Sequence, residues 1–213
     1  MPKIFDKRYY SSGWYSNYLK NYKKEGLIYA KRLVSILKPK KSWKFLDVGC
    51  GMGGIVLALR KMGYKAFGTE ISPFCLQNSP AKNWIFHCDI LKLPFEKESF
   101  EVVISVDVLE YLKKNLAKLA IKKLTQITKI FLYLETIAKF SPNASQKLNP
   151  DSKREKNLLS AGEIIREAEK NEMIALGRIF SLKEEIDFNC LFLKNKRKNK
   201  KILKRLWRES GII

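Results

Sequence analysis

The stretch Phe45-Leu46-Asp47-Val48-Gly49-Cys50-Gly51-Met52-Gly53-Gly54 decides the fold. Trp43, Phe45, Leu46 and Val48 form an apolar run that ends in an acid and then in alternating glycines. Ile55, Leu57, Ala58, Leu59 and Met62 follow at helical spacing. The pattern predicts a buried strand, a tight turn and a helix N-terminus. Glycine lets the backbone turn sharply and approach a ligand where a Cβ would clash. The first N–H groups of the new helix then face whatever sits there. Gly49, Gly51 and Gly54 also satisfy G-x-G-x-x-G, so the turn taken alone points to a nucleotide-like ligand and no further.

Working outward, the acids at later strand ends extend this picture. Lys65–Glu70 reads as a second strand, and Ser72-Pro73 opens a helix with serine as N-cap and proline in the first turn. Residues 84–88 read as a third strand ending at Asp89, and Phe100–Val106 as a strand buried on both faces. Residues 112–127 read as a helix with Leu116, Leu119, Ala120 and Ile127 inward, followed by a strand over 130–134 that ends in Glu135. Ser160 and Glu163 form a capping box for a helix to about Lys170, and 173–180 and 185–193 read as two last strands that pair antiparallel. Strands alternating with helices mean parallel βαβ units. Right-handed crossovers place Asp47, Glu70, Asp89, Asp107 and Glu135 on one rim, where ligands bind in such sheets.

Before this core, Tyr18–Leu37 reads as a helix with Leu27, Ala30, Leu33, Val34 and Leu37 on one face, stopped by Pro39. Residues 1–18 hold Phe5, Tyr9, Tyr10, Trp14, Tyr15 and Tyr18, which fits either a packed terminal arm or a lid over a ligand. The expected organisation is an aromatic cap over 1–42, a core domain over 43–193 and a basic tail over 194–213. The Pro/Asn/Ser/Lys-rich loop 138–158 is long enough to expect a function or disorder.

Composition bounds the partners. With 42 basic against 21 acidic residues the net charge is +21, a field that attracts nucleic acid, anionic lipid or an acidic substrate. A lysine-rich genome would produce the same number. The tail from Lys194 to Arg208 holds nine basic residues among fifteen, and Ile202, Leu203, Leu206 and Trp207 suit an amphipathic helix on an anionic membrane or on RNA. The four cysteines lack zinc-type spacing, so no metal is expected and a reducing compartment is. No apolar leader or membrane-length apolar run is present, and the expected location is the cytoplasm, peripheral to a membrane if the tail binds one.

Two ligands compete for the glycine turn. In a dinucleotide enzyme, Glu70 would bind the adenosine ribose. The acid before the glycines, however, completes Asp-x-Gly-x-Gly-x-Gly as Asp47 to Gly53. At this point the sequence resembles the class I S-adenosylmethionine-dependent methyltransferases. Glu70 stands where that family has its ribose acid. Cys88-Asp89-Ile90 with Leu93-Pro94-Phe95 is similar to its adenine-contacting segment, and Phe100–Glu110 to its fourth strand and following turn. The resemblance covers roughly residues 43–136. It departs at Leu109-Glu110-Tyr111, where many relatives have Leu-Glu-His, and in the 138–158 loop, which matches no acceptor motif.

The resemblance implies a Rossmann-like, seven-stranded, mostly parallel sheet with helices on both faces and an antiparallel last strand. It implies S-adenosylmethionine as cofactor, held by Asp47, Gly49, Cys50, Gly51, Gly53, Glu70, Ile71, Asp89, Ile90 and Ser105. Methyl transfer is an in-line displacement that gains mostly from positioning and exclusion of water. Where an acceptor must lose a proton, Glu135 is the first candidate base, with Asp107 and Tyr10 behind it. His87 reads as structural. The expected acceptor is a small molecule, a glycan or a lipid-linked intermediate. RNA methylation through the basic surface is the alternative, although no RNA-binding module or Asn-Pro-Pro-Tyr-type motif is present. A third reading is a protein that binds the cofactor without catalysis.

Overall fold

The computed structural model describes residues 5–11, 15–139, 158–177 and 188–210. Trp14, most of the 138–158 loop and the outer ends of the last two predicted strands lie outside these residues. Contacts divide the chain into two compact units, Met1–Lys92 and Leu93–Ile213.

The first unit contains α1 (Tyr18–Leu37), β1 (Lys44–Val48), α2 (Gly54–Lys61), β2 (Lys65–Glu70), α3 (Pro73–Asn78) and β3 (Ile85–His87). β2 pairs in parallel with β1 on one side and β3 on the other. Ser72 caps α3, its hydroxyl accepting from the Cys75 N–H, as its sequence predicts. α1 has the predicted bounds and buries Ala30, Leu33 and Leu37 of the predicted face, with Val34 half-buried. Leu27 is 40% exposed, and the buried positions are Gly26, Tyr29, Ala30, Leu33 and Leu37. The reason is Gly26: a Cβ there would lie 2.2 Å from the carbonyl carbon of Gly54, at the start of α2. Backbone meets backbone at that point, which turns Leu27 off the contact line.

The second unit contains β4 (Phe100–Val106), α4 (Lys114–Ile127), β5 (Thr128–Thr136), α5 (Ala161–Lys170), β6 (Met173–Gly177), β7 (Phe188–Lys194) and α6 (Lys200–Ser210). β4 and β5 are parallel, and β7 runs antiparallel to both β5 and β6. Val102, Val103 and Ile104 are wholly buried, as a strand covered on both faces requires. The capping box at Ser160 and Glu163 forms as read, with Lys114 adding an ion pair to Glu163 at 2.6 Å. On α4 the inward stripe is Ala117, Ala120, Ile121 and Leu124, at i, i+3, i+4 and i+7. Leu119 falls outside that stripe and is 41% exposed, against expectation. Thr128 follows α4 without a loop, its hydroxyl donating to the Leu124 carbonyl at 2.7 Å, so β5 begins earlier than predicted. The strands follow the order β3-β2-β1-β4-β5-β7-β6, a mostly parallel sheet with β7 reversed and helices packed against it. This is the Rossmann-like α/β class that the sequence implied.

Candidate active site

The turn after β1 is built on left-handed glycines. Gly49, Gly51 and Gly53 have φ of 77°, 54° and 73°, which side chains with a Cβ rarely adopt. The amides of the loop itself, ahead of the helix, are held by protein groups. Gly49 and Cys50 both donate to the Thr69 carbonyl, at 2.8 and 3.0 Å, and Gly53 donates to Cys50. Gly51 donates to Glu70 Oε2 at 2.7 Å, and Met52 to the Tyr18 hydroxyl at 2.8 Å. Buried N–H groups need partners, and the folded loop supplies them itself. The Cys50 thiol turns inward, where a Cβ on Gly68 would come within 2.5 Å of its Sγ. Burial pushes that thiol well above its usual range.

Glu70 ends β2 with 5% exposure. Its Oε1 accepts from the Ile71 and Ser72 amides, both at 2.7 Å, while its Oε2 takes Gly51. Three backbone donors therefore fix one carboxylate at the foot of the glycine loop. Asp47 lies buried nearby, its carboxyl pushed up to about 8 first by burial and then by the charge of Glu70. Between the ordinary aspartate value of about 3.9 and that value, the folded chain keeps a proton that the unfolded chain loses, so stability falls as pH rises. In Asp47→Asn this fall should shrink. Urea denaturation at pH 5 and pH 8 checks it, and an equal loss in parent and variant would refute the assignment.

Around Glu70 the first unit gathers the aromatic arm. Tyr10, Met52 and Cys75 form a buried cluster, against which Phe5, Tyr9, Tyr18, Tyr22 and Phe74 pack. Tyr10 stacks on Phe74 with ring centroids 5.8 Å apart, and the Ser72 hydroxyl donates to the Phe5 carbonyl at 2.5 Å. Burial, with the Glu70 charge second, holds the Tyr10 phenol far above its ordinary value. In this conformation Tyr10 packs as an aromatic wall, and its burial opposes loss of the phenol proton. The Cys88 amide donates to the Glu70 carbonyl at 3.0 Å and joins the ends of β2 and β3. Beyond it Asp89 is half-buried, accepting from the Leu91 amide at 2.9 Å, and Ile90 is buried. Ile71 is half-buried, and His87 is exposed on β3.

The second unit brings its own polar groups to the ends of β4, β5 and β7. Ser105 is buried near the end of β4. Asp107 follows with φ 53°, a conformation that Asp tolerates better than most residues, and its amide donates to the Glu135 carbonyl at 3.0 Å. Glu135 is 1% exposed and accepts from the Tyr133 hydroxyl at 2.5 Å. Opposite it on β7 lies Asn189, buried, with no hydrogen-bond partner for its side-chain amide among the described residues. Glu110, also buried, accepts from the Thr136 hydroxyl at 2.7 Å. Sequence reading missed Tyr18, Gly26, Glu110 and Asn189 as parts of these arrangements. Glu110 had a signal in its place after the fourth strand, and Tyr18 in its place in the aromatic arm; Gly26 and Asn189 had none. Among the described residues no group of three or more His, Cys, Asp or Glu could hold a metal ion.

Strand order, glycine turn and the acid closing β2 define a Rossmann-like fold of the cofactor-binding kind. The sequence profile of the methyltransferase-domain family matches residues 46–130. A sterol 4-C-methyltransferase, strm-1 of Caenorhabditis elegans, is 31% identical over 93 residues, covering 39% of this chain and 27% of that protein. The chain thus spans about a quarter of that relative's length. Among solved structures, the PH0226 protein of Pyrococcus horikoshii OT3 superposes with a TM-score of 0.64 at 16% identity, over 90% of this chain and 95% of that one. Magnesium protoporphyrin IX methyltransferase of Synechocystis PCC 6803 with bound SAH gives 0.61 at 17% identity, over 87% and 90%. Residues 46–130 thus match the methyltransferase-domain family, and the fold is the one found in class I S-adenosylmethionine-dependent methyltransferases, whose cofactor is S-adenosylmethionine.

Proposed function

We propose that this chain transfers the methyl group of S-adenosylmethionine to a small-molecule, glycan or lipid-linked acceptor. The observation that carries the reading is Glu70, held by three backbone amides at the foot of a glycine loop. The residues present fit the cofactor. A carboxylate offers about four acceptor positions, so Glu70 has one left for a ribose hydroxyl. Asp89 suits the adenine amino group, Ile71 and Ile90 the faces of the ring, and Gly49 and Ser105 the methionine end. Asp47, largely protonated at neutral pH, orients the loop with Cys50 and Gly53.

When bound, the cofactor supplies an electrophilic methyl on a sulfonium. The chain's own part is positioning and exclusion of water, for which the Phe5–Tyr22 aromatics are suited. Glu135 is the proposed base for an acceptor that must lose a proton, its carboxylate oriented by Tyr133. Asp107 is the reserve. Tyr10 serves as a wall in the conformation described. The names of the sterol and protoporphyrin methyltransferases support a small-molecule acceptor. The net charge of +21 supports RNA as the second reading.

Transfer of labelled methyl from S-adenosylmethionine into fractionated cell extracts tests this. Label in the small-molecule, glycan or lipid fraction is expected. Label in RNA alone would favour the second reading, and label in none would leave a non-catalytic binding protein.

A further inference from the structure

The second unit carries a feature that methyl transfer does not use. Between α6 and the β6–β7 edge lies a cleft of about 220 Å³, lined by Ile174, Leu193 and Leu203 together with Lys196, Lys200 and Lys204. Ile174 and Leu193 are cross-strand partners and so share one face of the sheet. Lys200, Leu203 and Lys204 stand at i, i+3 and i+4 and share one face of α6. The cleft is therefore apolar with cations beside it.

Those cations differ in what they already do. Lys194 is buried and donates to the Thr125 and Asn171 carbonyls at 3.1 and 3.4 Å, and Lys196 pairs with Glu98. Lys200 and Lys204 are exposed and make no ion pair among the described residues. α6 holds five basic residues and one acid, Glu209. An apolar cleft is a poor site for ordered water, which needs polar partners. Its complement is a molecule with hydrocarbon and negative charge close together. A phosphodiester strand would match the lysines and leave the apolar wall in water. Single-stranded RNA is gripped by aromatic stacking, and the lining contains no aromatic ring.

We infer that this cleft docks anionic phospholipid at a membrane surface, with α6 in the interface. Lys200 and Lys204 meet the lipid phosphates, and the Ile174–Leu193–Leu203 wall takes hydrocarbon. The inference deepens the proposed function by bringing the enzyme to a surface where lipid-linked acceptors reside, and only that link rests on the methyltransfer reading.

The test is flotation of the full chain with vesicles of phosphatidylcholine alone or mixed with phosphatidylglycerol. Binding to the mixed vesicles only, weakening with salt, is expected. Lys200→Ala with Lys204→Ala should weaken it roughly thirtyfold, since two interfacial lysines are lost. Leu203→Ser should weaken it roughly tenfold through lost apolar contact. Both variants should bind S-adenosylmethionine like the parent in calorimetry, which shows that they fold and separates this outcome from failure of the methyltransfer reading. Equal binding to both vesicles would overturn the inference. So would an unchanged Leu203→Ser, or tighter binding to polyuridylate than to the anionic vesicles.

Discussion

Replacing Gly26 by alanine should destabilise the protein by about 3 kcal/mol, the upper end for overpacking, and weaken cofactor binding. Alanine is the better helix former by about 1 kcal/mol, which works in the opposite direction. The clash wins because the new Cβ would sit 2.2 Å from the carbonyl carbon of Gly54 and 2.5 Å from its oxygen. Neither is the end of a flexible side chain, so α1 and α2 must separate. Gly54 is the first residue of α2 and the last of the glycine turn, so the separation displaces the loop itself. Gly162→Ala is the control. On α5 its Cβ would meet nothing nearer than an Arg166 side-chain nitrogen at 3.6 Å, and a neutral to slightly stabilising effect is expected. Urea unfolding of both variants decides the matter, and a Gly26→Ala protein as stable as its parent would disprove the close backbone contact.

Glu70→Ala should cost at least tenfold in affinity for S-adenosylmethionine, about 1.4 kcal/mol, and should destabilise the fold as well. The second effect follows from the three amides that the carboxylate serves. Each donor left buried and unpaired costs about 1–3 kcal/mol. Asp89→Ala separates the two effects. Asp89 is half-buried and serves one amide, so it should lose affinity with far less loss of stability. Glu70→Ala also removes the charge that helps to raise Asp47, and the Asp47 carboxyl should then titrate lower. Calorimetric affinities unchanged in both variants would remove these residues from the cofactor site.

Much of this architecture was legible in one sequence because its signals are local. The bounds of α1, the Ser72 and Ser160 caps, the glycine turn and the reversal of the last strand pair can each be read from a few consecutive residues. The helix faces were less legible. Hydropathy put Leu27 and Leu119 inward, but α1 is oriented by the missing side chain of Gly26, and α4 packs along the stripe Ala117, Ala120, Ile121 and Leu124. An absent Cβ has no hydropathy signature.

The motif Asp47 to Gly53, with Glu70 and Asp89 after it, pointed from the sequence alone to the methyltransferase-domain family that matches residues 46–130. Tertiary structure alone decided how the turn is held. Glu70 and Tyr18 take amides that local geometry would leave free, and Tyr18 lies 34 residues from the amide it meets. It likewise decided that Asp47 shares a buried field with Glu70, and that Asn189 faces Glu135 across a strand pair. Turns and caps arise between near neighbours in the chain. Partners for buried polar groups are chosen across it, after the strands have aligned.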